Sequence, residues 1–163
     1  MRAFLANLDL TNIFSCMESE IVPRVQAIVD DKKEKEREIQ KLNEKICAFQ
    51  AREVIGTLET NGGVAAVDVG GSDMQFKTIL ANTVLASSGS ESILLLLIGG
   101  SESGEEGSFL LVGDEMLVGK IGKDVAAALE GRGGGRGGKF QGKGINIRTG
   151  LEAARKLMIE AKT

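Results

Sequence analysis

Five cations, Arg132, Arg136, Lys139, Lys143 and Arg148, fall between positions 131 and 148 with no acid among them, in a chain whose formal charge is -3. Eight of the fourteen residues of the segment GRGGGRGGKFQGKG, positions 131–144, are glycine, so side chains shield little of its backbone. Guanidinium forks, ammonium groups and open N–H groups within one short stretch have the chemistry of a phosphate grip. A local charge reversal inside an acidic protein is also the electrostatic footprint of a polyanion site. The five cations are the candidate contacts, and Gly133, Gly134, Gly135, Gly137 and Gly138 allow close approach to the backbone.

Three other readings compete. Gly133-x4-Gly138-Lys139 nearly spells a nucleotide-binding P-loop, but Phe140 stands where the magnesium-binding Ser or Thr belongs. A helix, not a strand, is also expected to lead into it. Arg132-Gly133-Gly134 and Arg136-Gly137-Gly138 match a disordered RGG-type segment, although such segments are normally longer and lie outside folded domains. The bland reading is a surface turn whose bases are coincidental.

The chain has no histidine, which removes Ser-His and Cys-His nucleophile pairs and histidine-ligated zinc. General-base chemistry near neutral pH would need a tuned carboxylate or lysine, and no clustered pair suggests one. No catalytic residue and no metal ligand is assigned. Cys16 and Cys47 form neither a close metal pair nor a disulfide framework, which fits a reducing, cytoplasmic setting. No signal peptide is expected, and the longest apolar run, positions 93–98, is strand-sized, so no membrane partner is expected.

The segment needs a scaffold, and 163 residues with 42% hydrophobic content suffice for one domain plus an appendage. The helical pattern predicts a short helix over Arg2–Leu10 and a connection through Thr11–Ser19. Pro23 suits the first turn of the next helix, with Glu18 and Glu20 near its positive end. From there Val25, Ile28, Lys32, Lys35, Ile39, Leu42, Ile46 and Phe49 recur at spacings of three and four, a heptad seam with two polar interruptions. One helix from about Val22 to about Leu58 follows, roughly 55 Å long and long enough to project beyond a small domain. Seven acids and seven bases between Asp30 and Glu53 give it a solvated polar face. Val25, Ile28, Ile39, Leu42, Ile46 and Phe49 are the candidate interface of a homodimer.

Composition changes at Asn61-Gly62-Gly63, dividing residues 1–60, a helical dimerisation arm, from 61–163, a small α/β domain. A strand is predicted at positions 64–69, ended by Gly70-Gly71, then a helix capped by Ser72 with Gln75. Its stripe is Met74, Phe76, Ile79, Leu80 and Val84. Positions 93–98 form a strand apolar on both faces. Positions 99–107 are a hairpin loop, and 108–112 the returning strand. A helix at 118–130, the basic glycine loop and a closing helix at 151–161 complete an α+β pattern with a mixed sheet.

The run from Leu129 to Gly144, with Gly133-Gly134-Gly135-Arg136 and Gln141-Gly142, resembles the C-terminal signature of alanyl-tRNA synthetases. It is more similar to that of the stand-alone alanyl-tRNA editing proteins of the AlaX type. Lys139 and Phe140-Gln141-Gly142-Lys143 depart from the synthetase pattern and favour the editing branch. The resemblance extends over positions 12–161, but only the glycine signature is specific. It implies a DHH-associated fold behind a helical dimerisation arm, adds Gln141 to the candidate contacts, and points to alanine-specific tRNA as partner. It also implies that the editing zinc, held by His-x3-His and Cys-x3-His pairs, belongs to another part of a longer protein. The chain would then bind and dimerise but not hydrolyse by itself. The alternative is an oligomerisation or protein-interaction module without RNA binding. A third reading is the substrate-binding part of a phosphoesterase assembly from the same superfamily.

Overall fold

The computed structural model describes residues 13–71, 73–88, 93–100 and 106–163. The helix predicted over Arg2–Leu10 and the Ser72 cap lie outside these residues.

The long helix, α1, spans Glu18–Thr60. Its first turn is closed reciprocally: the Met17 N–H donates to Glu20 Oε2 at 3.1 Å, and the Glu20 N–H donates to the Met17 carbonyl at 2.9 Å. Glu18 and Glu20 sit in the first turn, as expected. Pro23 does not start the helix but lies inside it. Its missing N–H leaves the carbonyl four residues back without its usual intrahelical partner, a cost the helix absorbs.

Two compact units are distinguished, Met1–Asn43 and Glu44–Thr163. The last turns of α1 belong to the second unit because Cys47, Ala51, Val54 and Leu58 are buried in its core. Within that unit the exposed Ile46 and Phe49 stand about 140° around the helix from the buried stripe.

The second unit is a five-stranded mixed sheet of order β1-β2-β3-β5-β4, formed by β1 (Val64–Asp68), β2 (Leu94–Gly100), β3 (Gly107–Gly113), β4 (Gly131–Arg136) and β5 (Lys139–Gly144). Only β1 and β2 run parallel, joined through α2 (Met74–Ser88). Asp73 caps α2, its Oδ1 accepting from the Phe76 N–H at 2.8 Å. α3 (Glu115–Ala128) and α4 (Leu151–Lys162) follow β3 and β5.

Alternation along the strands divides the core into two layers. Leu94, Leu96, Ile98, Phe109 and Leu111 face α3 and α4. Leu95, Leu97, Leu110 and Val112 face α2 and the end of α1. β2 is buried on both faces from Leu94 to Gly99, as its unbroken apolar run requires.

Candidate nucleic-acid interface

The basic glycine segment is not a loop. It is a β-hairpin that extends the sheet: β4 pairs antiparallel with β5, and β5 with β3. Gly137 and Gly138 make the turn with φ of 63° and 73°, the left-handed pair that a two-residue hairpin needs. Glycine is poor in strands by propensity, yet these strands need it. A Cβ on Gly133 would lie 2.9 Å from the Phe140 ring, and one on Gly142 2.7 Å from the Phe109 ring. Those two rings stack at 6.2 Å between centroids, and a Cβ on Gly122 of α3 would also strike Phe140. The glycines are therefore the bare backbone floor on which an aromatic pair rests.

The same alternation sends the charges to the other side. In register, Arg132 is opposite Lys143, Gly134 opposite Gln141, and Arg136 opposite Lys139. Residues directly opposite in an antiparallel pair project to one face. On β3 that face carries Ser108, Leu110 and Val112, the partners of Lys143, Gln141 and Lys139. Over β2 and β3 it is the face buried against α2 and the end of α1. Over β5 and β4 it is open: Arg132, Gly134, Arg136, Gln141 and Lys143 are exposed and Lys139 is half-buried. Among the described residues, none of the four cations forms an ion pair. The two like-charged pairs are roughly 14 Å apart along the hairpin.

Arg148 does not join them. Its Nε donates to Asp68 Oδ2 at 2.8 Å, beside β1, the opposite edge strand of the sheet from β4. The sequence count of unopposed cations could not register an acid eighty positions away.

One polar group escaped the sequence reading. Lys77, in the apolar stripe of α2, has no accessible surface and donates from Nζ to Ser108 Oγ at 3.0 Å. Desolvation lowers its pKa from the ordinary lysine value, opposed by the charges of Asp73 and Asp68. The spacing Lys77, Leu80, Val84 was the signal available: Lys77 occupies a core position of that helix. A cavity of about 710 Å³ opens at this end of the sheet, with Ser108, Arg132, Lys143, Glu106 and Glu130 among its lining.

Val25, Ile28, Ile39 and Leu42 are exposed in the first unit, and Ile46 and Phe49 in the second, where Phe49 is 74% accessible. Among the described residues no group of three His, Cys, Asp or Glu is placed to hold a metal ion, and no described helix is long and apolar enough to cross a membrane.

The architecture is that of a known domain. It matches the C-Ala domain of alanyl-tRNA synthetase from Aquifex aeolicus with a TM-score of 0.50 and 18% identity, covering 61% of this chain and 93% of that one. In sequence the chain is 41% identical over 92 residues to the alanyl-tRNA editing protein Aarsd1 of Mus musculus. It is 45% identical over 75 residues to that of Bos taurus. The matched stretches cover 56% and 46% of this chain and 21% and 16% of those proteins. An alanine–tRNA ligase of Psychrobacter sp. (strain PRwf-1) is 29% identical over 139 residues, covering 82% of this chain and 15% of the ligase. No protein-family model matches. This chain is thus a homologue of alanyl-tRNA editing proteins and alanine–tRNA ligases, with the C-Ala fold, and it spans about a fifth of the length of the first of these relatives.

Proposed function

We propose that the hairpin face is a grip for the phosphate backbone of tRNA, alanine-specific tRNA in view of the homologues, and that the chain serves as the tRNA-binding and dimerisation part of a cytoplasmic alanyl-tRNA editing system. Hydrolysis of the mischarged ester, with its zinc, belongs to a separate domain of a longer protein. One observation carries the reading. Arg132–Lys143 and Arg136–Lys139 are like-charged pairs directly opposite each other, an arrangement that destabilises an isolated hairpin. An anion held across both pairs turns that repulsion into attraction. Phosphate contacts of this kind orient an RNA without reading its sequence, so discrimination rests on RNA shape.

Titrating labelled tRNA at increasing salt tests the grip. Four phosphate contacts give a slope of log affinity against log salt of roughly -3 to -4. Salt-independent binding, or unchanged binding by Arg132→Ala/Lys143→Ala/Arg136→Ala/Lys139→Ala, would overturn it.

The exposed Ile39, Leu42, Ile46 and Phe49 favour self-association through α1. They also support a second reading, an oligomerisation module that never meets RNA. Light scattering with and without tRNA separates the two: a dimer that never shifts with tRNA selects the second.

A further inference from the structure

We propose that the two cationic pairs are not equivalent, and that Arg132, Lys143 and Ser108, with Lys77 buried behind them, form a subsite for a single phosphate group. The inference rests on the phosphate-grip reading and says where on that face one phosphate is held most firmly.

Ser108 on β3, Lys143 on β5 and Arg132 on β4 are successive cross-strand neighbours on one face. The corresponding row at the turn end is Val112, Lys139 and Arg136. The first row offers a hydroxyl as its third member and the second an isopropyl group, which cannot donate.

Lys77 gives that hydroxyl a fixed role. An ammonium group carries three donors and no acceptor. Because Lys77 Nζ donates to Ser108 Oγ at 3.0 Å, the Ser108 oxygen is the acceptor there and its own proton is left to donate elsewhere. The fit is built into the backbone: a Cβ on Gly99 would come within 3.0 Å of Lys77 Nζ and would collide with the Gly70 carbonyl oxygen. The acids that act on Lys77 are already engaged, Asp68 with Arg148 and Asp73 at the cap of α2.

All three outward members of the first row line the 710 Å³ cavity. A hydroxyl, an ammonium and a guanidinium therefore share one opening, and a phosphate has oxygens to engage all three. Glu106 and Glu130 line the same cavity. Glu130 accepts from Asn146 Nδ2 at 2.8 Å. Both lie outside the row, immediately before β3 and before β4.

The test uses the intact chain and two readouts. In the first, inorganic phosphate and short RNAs with a 5′-phosphate or a 5′-hydroxyl are titrated while backbone amide resonances are followed. Shifts at Ser108, Arg132 and Lys143, but not at Arg136 and Lys139, are expected, and Ser108→Ala weakens phosphate roughly tenfold while Ser108→Thr retains it. Stronger shifts with the 5′-phosphate RNA assign the subsite to a terminal phosphate; equal shifts with both RNAs assign it to the backbone. In the second readout, Arg132→Ala/Lys143→Ala costs tRNA affinity roughly tenfold more than Arg136→Ala/Lys139→Ala. Equal losses from the two double variants, with no phosphate shift at Ser108, overturn the subsite and leave the grip standing. Phosphate shifts at Ser108 without any tRNA binding leave the subsite standing and remove the grip.

Discussion

Arg132 and Lys143 stand directly opposite each other on adjacent antiparallel strands, where the sheet face is open over β4 and β5. Two like charges in that relation cost about 0.2–1 kcal/mol. Stability is therefore expected to improve when the pairing is relieved. Arg136 and Lys139 stand in the same relation, and Arg136→Thr should raise the unfolding free energy by a few tenths to about 1 kcal/mol at low salt, since threonine also suits a strand. The electrostatic part of the gain shrinks in about 1 M salt, where the screening length is near 3 Å. Thermal unfolding at both salt concentrations reads this, and a gain that ignores salt removes repulsion as its cause. The same variant should bind tRNA more weakly.

Neighbouring glycines on opposite faces of β4 should respond oppositely to a methyl group. On Gly133 a Cβ would meet the Gln141 carbonyl and the Phe140 ring, whereas on Gly134 nothing lies within 4 Å. Gly133→Ala is expected to cost about 1–3 kcal/mol. Gly134→Ala should be neutral or stabilising by up to about 1 kcal/mol, because alanine has less chain entropy to lose. Gly134→Glu then becomes a clean charge probe, with its carboxylate among four cations on an intact fold. It should lower tRNA affinity by at least about tenfold near physiological salt. Retained affinity in a folded Gly134→Glu chain would show that RNA does not lie on this face.

The turn permits a similar contrast. Gly137 and Gly138 both have positive φ, but only at Gly138 would a Cβ approach other backbone, the Gly113 carbonyl at 2.5 Å. The Gly113 N–H also donates to the Gly138 carbonyl at 3.0 Å, tying the turn to the end of β3. Gly137→Asn should be almost neutral, since Asn-Gly is a favoured pair for this turn. Gly138→Ala should cost about 1–3 kcal/mol. Equal unfolding midpoints for the two variants would contradict the turn geometry.

The elements whose signal is apolar were legible in the sequence. The run at positions 93–98 announced a strand buried on both faces, and the spacing from Val25 to Phe49 announced a long helix. The hairpin was not legible as a hairpin, because propensity treats a glycine run as a loop. The needed signal was alternation: Arg132, Gly134 and Arg136 before a Gly-Gly turn, and Lys139, Gln141 and Lys143 after it. With that period in view, four cations fall on one face without a structure. Arg148 was counted among them because its partner Asp68 is distant in sequence and near only in the fold. Lys77 stayed hidden because a lysine amid Phe76, Leu80 and Val84 reads as an interruption of the stripe, although it occupies a core position.

Lys77 should leave a mark on stability against pH. Burial lowers its pKa in the folded chain below the ordinary 10.5. Between the lowered value and 10.5 the unfolded chain holds the proton and the folded chain does not, so stability rises with pH through that window. Burial pushes the Cys47 thiol up from 9.0, so its contribution falls as pH rises beyond 9. Comparison with Lys77→Met cancels the cysteine. At pH 7 the methionine variant should be equal in stability or about 1 kcal/mol more stable, since a desolvated charge is exchanged for an apolar chain. That advantage should shrink toward pH 10.5. A difference that stays constant from pH 8 to 10.5 would mean that Lys77 titrates alike in both states.

The exposed stripe of α1 makes the remaining prediction, independent of RNA. Ile46 and Phe49 are solvent-exposed on a helix whose other side carries the buried Cys47, Ala51, Val54 and Leu58. Substituting them therefore leaves the core of the second unit intact. Burying such side chains contributes roughly 1.5–3 kcal/mol each, so Ile46→Lys/Phe49→Lys should raise the dissociation constant of a dimer by at least about a hundredfold. Light scattering across a concentration series should find the parent chain dimeric where the variant is monomeric. Hairpin integrity is followed separately by the amide resonances of β4 and β5, which should not move if the stripe serves only association. A parent chain that is monomeric at every concentration removes the dimer seam, whatever the hairpin binds.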